Sequence, residues 1–508
     1  MSVAPKWGFL KLPRELRDII YTHYARVDGG YTYNLVTNQL VRADGGCIEH
    51  ALTLTCRQVA AEMRGLALTM NKITFRTYHS EETNDSAAHF HNSISTAQGA
   101  KARLLDDMAP RYLTSDMSKA AAAKFPCLEW ILHDWRHEDY PQYLFDGRYP
   151  NLFPQDSWGQ SYLVWTEFVD FTLKLISEHP DFPSEPQSIK WGVWNQYDAA
   201  RLIHMHLPPP WAVLGSDEAH KLQADVASAT GIHGYRHPFS EHMDPFPSKP
   251  YKYTYSAASL AIRFLDSIPN STRQYIRNVL LDEDQESIAN ASCHALGLAL
   301  FCHENRQMII KRNVNLWTAC LLVQGKGERL YYHSYMVTCA IGSWMIEAAM
   351  LPKLGMPSDS FQLILDGEPL PELAQSVFDV VTKDATVQIA MNIWFDKSQY
   401  PRVWRDFSEG STWIWNDFPE VYQDFMAGKL SNLIQCNFDI NVGPDPEEMV
   451  ERFTGSTSLD WYEYMYGYNP RYFTTEAPLP PLHLLRPASL LSQEMKGPIG
   501  GGRLDNLM

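Results

Sequence analysis

Short apolar runs alternate with longer amphipathic stretches in the middle of the chain, and this alternation constrains the fold most. Residues 275–281 and 308–314 are rich in branched apolar side chains, which is typical of buried strands. Residues 287–303 between them carry apolar side chains at helical spacing. A strand, a helix and a second strand in this order predict two parallel strands joined by a right-handed crossover.

A second unit of this kind follows further along the chain. Residues 361–365 predict a strand, the stretch through Val377 and Val381 predicts a helix, and residues 386–391 predict another strand. The two units share no clean repeat length, so we expect α/β layering that is only loosely repetitive. The predicted fold class is therefore mixed α/β, or α+β, with a body of strand–helix units.

The chain is too long for a single core. Its 508 residues predict roughly two or three domains. Before the body, residues 77–98 are polar and predict a loop, residues 101–124 predict a helix, and residues 125–134 predict a buried strand. The predicted division is a small module over 1–76, a middle region of helices, strands and long loops over 77–255, the α/β body over 256–476 and a mobile Pro- and Gly-rich tail over 477–508.

Charge and cysteine usage limit the classes of partner. The formal net charge is −16, and such a surface repels phosphate backbones and anionic membranes, so we expect no nucleic-acid and no membrane partner. Residues 330–346 lack charged side chains but include several polar ones, which favours a core helix over a membrane span. The eight cysteines form no C-x-x-C pair and no basic-then-apolar leader opens the sequence. We therefore expect reduced thiols, no signal peptide and a cytoplasmic or nuclear location.

The beginning of the chain carries a Leu-Pro-Arg-Glu-Leu sequence at residues 12–16. Pro13 suits the first turn of a helix, where its missing N–H costs nothing, and Glu15 lies near the positive end of the helix dipole. Apolar side chains then recur at helical spacing along this predicted helix. They are Leu12, Leu16, Ile19 and Ile20.

Three further elements complete the opening module. Residues 31–34 and 39–42 flank a turn and predict a small hairpin. Residues 52–70 carry one apolar stripe and predict a second helix. Residues 72–76 predict a closing strand.

This module resembles an F-box, the short helical domain that docks on the small adaptor subunit of cullin–RING ubiquitin ligases. The opening at 12–16 is similar to the start of that domain, and Thr-Cys-Arg-Gln-Val at 55–59 is similar to its later Cys-Arg helix. With Asn-Lys-Ile-Thr-Phe at 71–75, the module is most similar to F-box-like proteins of filamentous fungi. The resemblance covers about the first 76 residues, is looser over 276–317 and is absent from the tail.

The resemblance implies a docking face for the ligase adaptor subunit. Its residues are those matched to the Leu-Pro opening, namely Leu12, Pro13, Leu16, Ile19 and Ile20. A second interpretation packs the same side chains on the chain's own core and makes the module a scaffold only. An ordinary F-box connects its helices compactly, whereas here roughly 25 residues, 26–50, intervene as the predicted hairpin. The sequence leaves both interpretations open.

Histidine and cysteine pairs are the side chains in this sequence that could bind a metal or act as nucleophile and base. Zinc requires three or four ligands in tetrahedral geometry, and no histidine group in the sequence has a fixed arrangement of that kind, so we expect solvated loops and no metal. The Cys-His pairs at 293–294 and 302–303 are nine residues apart, which places them on opposite faces of one helix and favours core packing. The histidine groups are His89 with His91, His204 with His206, and His233, His237 and His242.

Two other groups leave alternatives open. Asp282, Glu283 and Asp284 follow a predicted strand, where α/β folds often bind ligands, but a solvated loop that caps the next helix explains them equally well. Aromatic side chains are dense at 413–415 and at alternate positions over 462–468. These fit either a buried segment or a partner-binding surface.

No catalytic motif emerges, so we expect a non-enzymatic interaction adaptor without cofactor or metal. It would join a ligase adaptor subunit to a protein target that the sequence does not identify. The alternatives are a non-catalytic scaffold or binding protein unrelated to ubiquitin, and an enzyme with a dispersed site.

Overall fold

The computed structural model describes residues 8–135, 161–182, 189–191, 195–232, 252–321, 331–332, 334–397, 418–455 and 473–474. The strands are β1 (Tyr31–Asn34), β2 (Gln39–Arg42), β3 (Lys72–Arg76), β4 (Ile189–Trp191), β5 (Asn195–Tyr197), β6 (Asn278–Glu283), β7 (Ile309–Asn315), β8 (Tyr331–Tyr332), β9 (Phe361–Asp366), β10 (Ile434–Cys436) and β11 (Phe473–Thr474). The helices are α1 (Arg14–Ala25), α2 (Arg57–Glu62), α3 (Leu66–Met70), α4 (Glu81–Tyr112), α5 (Ser115–Lys124), α6 (Glu129–Trp135), α7 (Tyr162–Ser177), α8 (Ala199–His204), α9 (Ser216–Thr230), α10 (Ala257–Ser267), α11 (Asn270–Arg273), α12 (Ala299–Glu304), α13 (Ser334–Met350), α14 (Pro371–Lys397), α15 (Phe418–Met426) and α16 (Pro446–Arg452).

Seven strands form one sheet in the order β10–β9–β7–β6–β3–β1–β2. The β1–β2 pair is antiparallel and every other neighbouring pair in this sheet is parallel. The mixed α/β fold class is confirmed, as is the parallel pairing predicted for the strands now seen as β6 and β7. Within this described sheet, β2 lies on the outer side of β1, and the strands on the other side of β1 follow chain order as β3, β6, β7, β9 and β10.

One face of the sheet is covered and the other is partly open. Along β9, Phe361 and Leu363 are buried, whereas Gln362 between them is half-buried. Along β7, Ile310 is buried and Lys311 is exposed. Because successive side chains of a strand point to opposite faces, the buried residues share one face. The main core lies on that face, where α10, α13 and α14 contribute apolar side chains.

The N-terminal strands belong to the same sheet as the body. β3 pairs with β6 along its whole length, from Lys72 opposite Asn278 to Arg76 opposite Asp282. The predicted module over 1–76 and the predicted body therefore share backbone hydrogen bonds. The hairpin of β1 and β2 is confirmed and forms one edge of this sheet.

The second predicted helix of the module is interrupted, which corrects the prediction of one helix over 52–70. It divides into a short 3₁₀ turn (Leu52–Leu54), α2 and α3. Gly65 precedes α3 with a φ of 73°, a left-handed conformation that favours glycine. A Cβ atom at Gly65 would lie 2.1 Å from the ring of Tyr275, so the close approach of that ring also requires glycine.

The longest described helix, α4, begins where the sequence predicted a loop over 77–98, and that prediction is wrong. The Ser80 hydroxyl caps the helix by accepting a hydrogen bond from the Thr83 N–H at 3.2 Å. Polar Ser, Asn and His residues obscured an apolar stripe with steps of three and four residues. The buried stripe is Ala87, Phe90, Ile94 and Ala97.

This helix links two separate cores. At 32 residues it is about 48 Å long. Its first half packs into the core under the sheet, and its second half, from Ala100 to Ala109, enters a second core formed with α5, α6 and α7. Helix α9 lies alongside it and also contributes to both cores, with Val226 in the first and Ala229 in the second. α4 thus holds the helical region against the sheet.

Two strand predictions fail because short apolar runs do not distinguish strands from buried helices. Residues 125–134 form a turn followed by α6, and the buried side chains Leu128, Ile131, Leu132 and Trp135 have the i, i+3, i+4, i+7 spacing of a helix. Residues 386–391 lie inside α14, which is buried around its whole circumference there.

Two predicted helices have different outcomes. The helix predicted over 287–303 is instead a 3₁₀ segment (Ala291–Leu298) followed by α12, and it starts after Asn290, whose φ is 58°. The core helix predicted over 330–346 is confirmed as α13, with Val337, Ile341 and Met345 buried. Among the described residues, no helix combines the length and apolar character that crossing a bilayer requires.

A buried ion pair joins the two central strands. The Arg312 guanidinium donates to Glu283 Oε1 at 2.7 and 2.9 Å, and both side chains are only 1% exposed. The same guanidinium donates to the Ala291 carbonyl at 2.6 Å and lies 4.6 Å from the centroid of the Trp344 ring. The Glu283 carboxylate also accepts the Ala257 N–H at 2.9 Å, at the start of α10. The pair therefore connects β6, β7, α10, α13 and the 3₁₀ segment.

We predict that Arg312→Met destabilises the protein by about 3–5 kcal/mol, because it leaves the Glu283 carboxylate buried without its counter-ion. Lys124→Met is the control: Lys124 and Glu167 are also 2.7 Å apart, but both are about half exposed, so the loss should be below about 1 kcal/mol. Urea denaturation measures both free energies. Equal losses in the two variants contradict the prediction.

Candidate partner-binding face

Helix α1 attaches to the rest of the chain through one face. Arg17, Tyr21 and Ala25 are its buried residues, and their spacing of four places them on the same side of the helix. Pro13 is the N-cap and Glu15 lies in the first turn, as the sequence predicted for a helix start.

A charged cluster holds this inner face against α2. Arg17 Nη2 donates to Glu62 Oε1 at 2.7 Å, Arg17 Nε donates to Glu62 Oε2 at 3.0 Å, and the Tyr21 hydroxyl donates to Glu62 Oε2 at 2.7 Å. Arg17 Nη1 also donates to the Leu12 carbonyl at 2.5 Å, which fixes the turn before the helix. The hydrogen bonds from Arg17, Gln58 and Tyr21 lower the pKa of Glu62 from 4.5 to about 2. The carboxylate is therefore charged at neutral pH.

The module has a small apolar core of its own. Tyr21, Val59 and Met63 form a buried cluster separate from the two larger cores. The Phe9 ring packs edge-on against Tyr21, with 5.7 Å between ring centroids. Other apolar side chains surround the cluster and are partly buried. They are Tyr24, Leu52, Cys56 and Leu66.

The residues predicted for docking lie on the outward side of α1. Leu16, Ile19 and Ile20 are 47%, 55% and 40% exposed, Pro13 is exposed and Leu12 is half-buried. The described chain therefore packs α1 on its own core through Arg17 and its neighbours on the inner face. It does not use the predicted stripe for that contact.

Exposed apolar side chains concentrate in this part of the chain. Of the ten large apolar side chains that are exposed among the described residues, seven belong to residues 10–70. Large apolar patches on a protein surface mark interaction sites more often than scattered single residues do. The seven are Leu10, Leu16, Ile19, Ile20, Val36, Leu54 and Met70.

The inserted hairpin, residues 26–50, is drawn into the sheet. β1 pairs with β3, with Tyr31 opposite Ile73. Asn71 fixes the chain between α1 and the hairpin, because its Nδ2 donates to the Ala25 carbonyl at 2.7 Å and its Oδ1 accepts the Val27 N–H at 2.8 Å. The insertion therefore extends the sheet and leaves Leu16, Ile19 and Ile20 exposed.

The other candidate groups from the sequence have structural roles where they are described. His294 is fully buried between the Ser256 and Ser259 hydroxyls and the Ala289 carbonyl, and desolvation lowers its pKa to about 3. Cys293 and Cys302 are buried, and desolvation raises the pKa of both thiols. The predicted core packing is confirmed for Cys293, His294 and Cys302 and is wrong for His303, which is exposed.

The acidic triplet is divided among different contacts. Glu283 is in the buried ion pair and caps α10, a helix that precedes it in the chain. Asp282 contacts Arg76 at 3.4 Å, and burial raises its pKa. Asp284 accepts a hydrogen bond from the Thr77 hydroxyl. The predicted histidines at 233, 237 and 242 and the aromatic residues at 413–415 and 462–468 lie outside the described residues.

The alternative of an enzyme with a dispersed site would need a pocket for a substrate, and one cleft lies between α4 and α7. Lys101 is buried there, donates to Asp170 at 2.8 Å and to the Met205 carbonyl at 3.1 Å. The cleft has a volume of about 20 Å³, which is room for about one water molecule. Nearby, Glu347 accepts the Tyr162 N–H at 2.6 Å, and burial raises its pKa to about 7. Tyr162 here links α7 to α13, and Lys101 links α4 to α7.

We predict that Glu62→Gln weakens the attachment of α1 at neutral pH. The folded pKa of Glu62 is about 2, below its ordinary 4.5, so the charged cluster contributes fully above pH 4.5 and is lost as the pH falls towards 2. Above pH 4.5, the α1 amides should thus exchange faster in the variant than in the wild type. This difference in exchange rate should shrink on acidification. Asp18→Asn, which changes an exposed pair with Arg14, is the control and should leave exchange unchanged. Equal exchange in wild type and Glu62→Gln at every pH contradicts the prediction.

Comparison with known proteins yields no relative. No protein-family model, no curated protein and no solved structure matches this chain. The likeness of the opening module to an F-box therefore depends on the residues of the module itself.

Proposed function

We propose that the chain is a protein-interaction adaptor and that the outward side of α1 docks on the adaptor subunit of a cullin–RING ubiquitin ligase. The Leu-Pro-Arg-Glu-Leu opening and the Thr-Cys-Arg-Gln-Val helix supply the resemblance to F-boxes. In this proposal the module binds the ligase and the rest of the chain recruits a protein target. The chain itself carries out no chemistry.

The exposure of Leu16, Ile19 and Ile20 carries the proposal. A helix that only supported its own body would bury its apolar stripe, because each Leu or Ile removed from water contributes about 1.5–3 kcal/mol. Here Leu16 and Ile19 are left in water on the side away from the buried Arg17, and Ile20 at the border between the two sides is also exposed. A partner that covered these three side chains would gain the free energy that folding leaves unused.

The anchoring of α1 supports docking for a second reason. The Arg17–Glu62–Tyr21 cluster and the small core around Tyr21 fix the helix before any partner arrives. A surface that is already ordered binds more tightly, since less conformational entropy is lost on association. The helix that carries Leu16, Ile19 and Ile20 is therefore already in place, and we call these three exposed side chains the outward strip of α1.

A scaffold or binding protein unrelated to ubiquitin is the second candidate. The observation that favours it is the hairpin at 26–50, which extends the sheet where an F-box has a compact connection. In that case the same strip binds a different protein. The two candidates share the strip and differ in the identity of its partner.

We predict that the purified ligase adaptor subunit binds the intact chain and that Leu16→Asp lowers the affinity at least about tenfold, or about 1.4 kcal/mol. A charge at this position would be desolvated in the interface without a counter-ion. Because Leu16 is exposed, the substitution should change the free energy of unfolding by less than about 0.5 kcal/mol. Isothermal titration calorimetry measures the affinity.

Leu300→Asp is the matched control, because Leu300 is a 63% exposed leucine on α12, outside the module. It should bind as the wild type does. If the intact chain does not bind the ligase adaptor subunit, the ubiquitin proposal fails. Affinity purification with mass spectrometry then tests the second candidate, which requires a protein that the wild type and Leu300→Asp retain and Leu16→Asp loses.

A further inference from the structure

Three metal-ligand side chains meet on the surface where α4 and α9 lie side by side. Asp85 and His89 come from successive turns of α4, and His220 comes from the first half of α9. One ligand atom from each residue lies within 4.8 Å of the other two. This group is distinct from the outward strip of α1.

The distances from the Asp85 carboxylate to the two imidazoles are similar to those between ligands of one ion. His89 Nε2 is 3.3 Å from Asp85 Oδ1, and His220 Nε2 is 3.5 Å from Asp85 Oδ2. Two ligands at about 2.0–2.1 Å from a tetrahedral zinc ion are about 3.3 Å apart. The two imidazole rings lie 4.4 Å apart between centroids, close enough to face a common ion.

The hydrogen bonds of His220 select the tautomer that a metal requires. Its Nδ1 is 2.7 Å from the Ser216 carbonyl oxygen, which only accepts, so Nδ1 carries the proton. In the neutral ring, Nε2 then has its lone pair free, and Nε2 is the atom nearest Asp85. Metal-binding histidines are typically oriented in this way by a carbonyl that accepts their other N–H.

We propose that Asp85, His89 and His220 bind one divalent ion of the zinc class and that the ion clamps α4 to α9. Two imidazoles and one carboxylate suit zinc and its neighbours, whereas calcium and magnesium prefer oxygen ligands. Three protein ligands leave a fourth position for water or an outside ligand. His220 is half exposed and Asp85 is 66% exposed, so the ion enters directly from solvent.

The proposed metal site lies between two helices that both contribute to the two cores. α4 and α9 both contribute to the two cores, with Phe90 and Val226 in one and Leu104 and Ala229 in the other. An ion that joins Asp85 and His89 to His220 would hold the two helices together at their exposed edge. It should therefore raise the stability of the folded state by binding it selectively.

The competing explanation is an ion pair without metal, in which Asp85 contacts protonated imidazoles. The test uses the full chain, stripped with a chelator and titrated with Co²⁺, whose visible absorption reports tetrahedral coordination, followed by displacement with Zn²⁺. We expect one Co²⁺ per chain, displaced by Zn²⁺, and a higher thermal midpoint with Zn²⁺. His89→Ala and His220→Ala should each weaken binding by at least about 10–100-fold, since even groups that only orient a ligand have effects of that size.

The variant His204→Ala/His206→Ala is the control, because it removes two exposed histidines outside the cluster. It should bind Co²⁺ as the wild type does. Circular dichroism verifies that all variants fold: His204, His206 and His220 are exposed, and His89 is partly buried. The proposal is overturned if the wild type does not bind Co²⁺ tetrahedrally, or if binding survives in His89→Ala and His220→Ala.

Discussion

The contact between Glu283 and Arg312 is the constraint on which the centre of the molecule depends. Two charges that are 1% exposed are stable only when each finds opposite charge and hydrogen bonds. The Glu283 carboxylate meets this condition with Arg312 and the first N–H groups of α10, and Arg312 meets it with Glu283, the Ala291 carbonyl and the Trp344 ring. No single element of this group can shift without stranding a buried charge. The pair therefore sets the position of α10 and α13 on the covered face of the sheet.

Helix α4 connects this central region to the second core. Its first half packs under the sheet and its second half organises the helical region, so the two cores cannot move independently while it stays straight. α9 follows the same course beside it, and Asp85, His89 and His220 meet at the exposed edge between them. The module at the start of the chain is attached differently. It shares the sheet through β3, but α1 is held by a small core and by Arg17 and Glu62.

Local pattern predicted several strands of the sheet and missed the longest described helix. β6, β7 and β9 were visible because alternating buried residues in short runs are a property of the strand itself. α4 was not, because Ser, Asn and His around Phe90 and Ile94 resemble a loop unless the apolar spacing is followed. The cluster of Asp85 and His220 could not be predicted in the same way, because the two residues are far apart in sequence and meet only through the packing of two helices. The residues proposed for docking were selected by a motif, yet the motif does not say which side of α1 faces inwards.

That last question is decided by charge rather than by apolar spacing. If apolar spacing alone decided how α1 packs on the protein, Leu16, Ile19 and Ile20 would be buried and Arg17 would face water. The opposite arrangement is stable here only because Glu62, on a separate helix, offers Arg17 two carboxylate oxygens, and because the Leu12 carbonyl accepts a further bond. Once Arg17, Tyr21 and Ala25 form the inner side, the helix geometry turns Leu16 and Ile19 away from it, and Ile20 lies at its border with 40% exposure. The exposure of Leu16 and Ile19 is thus a consequence of the pairing of Arg17 with Glu62, 45 residues away in sequence, and the same pair holds α1 against α2.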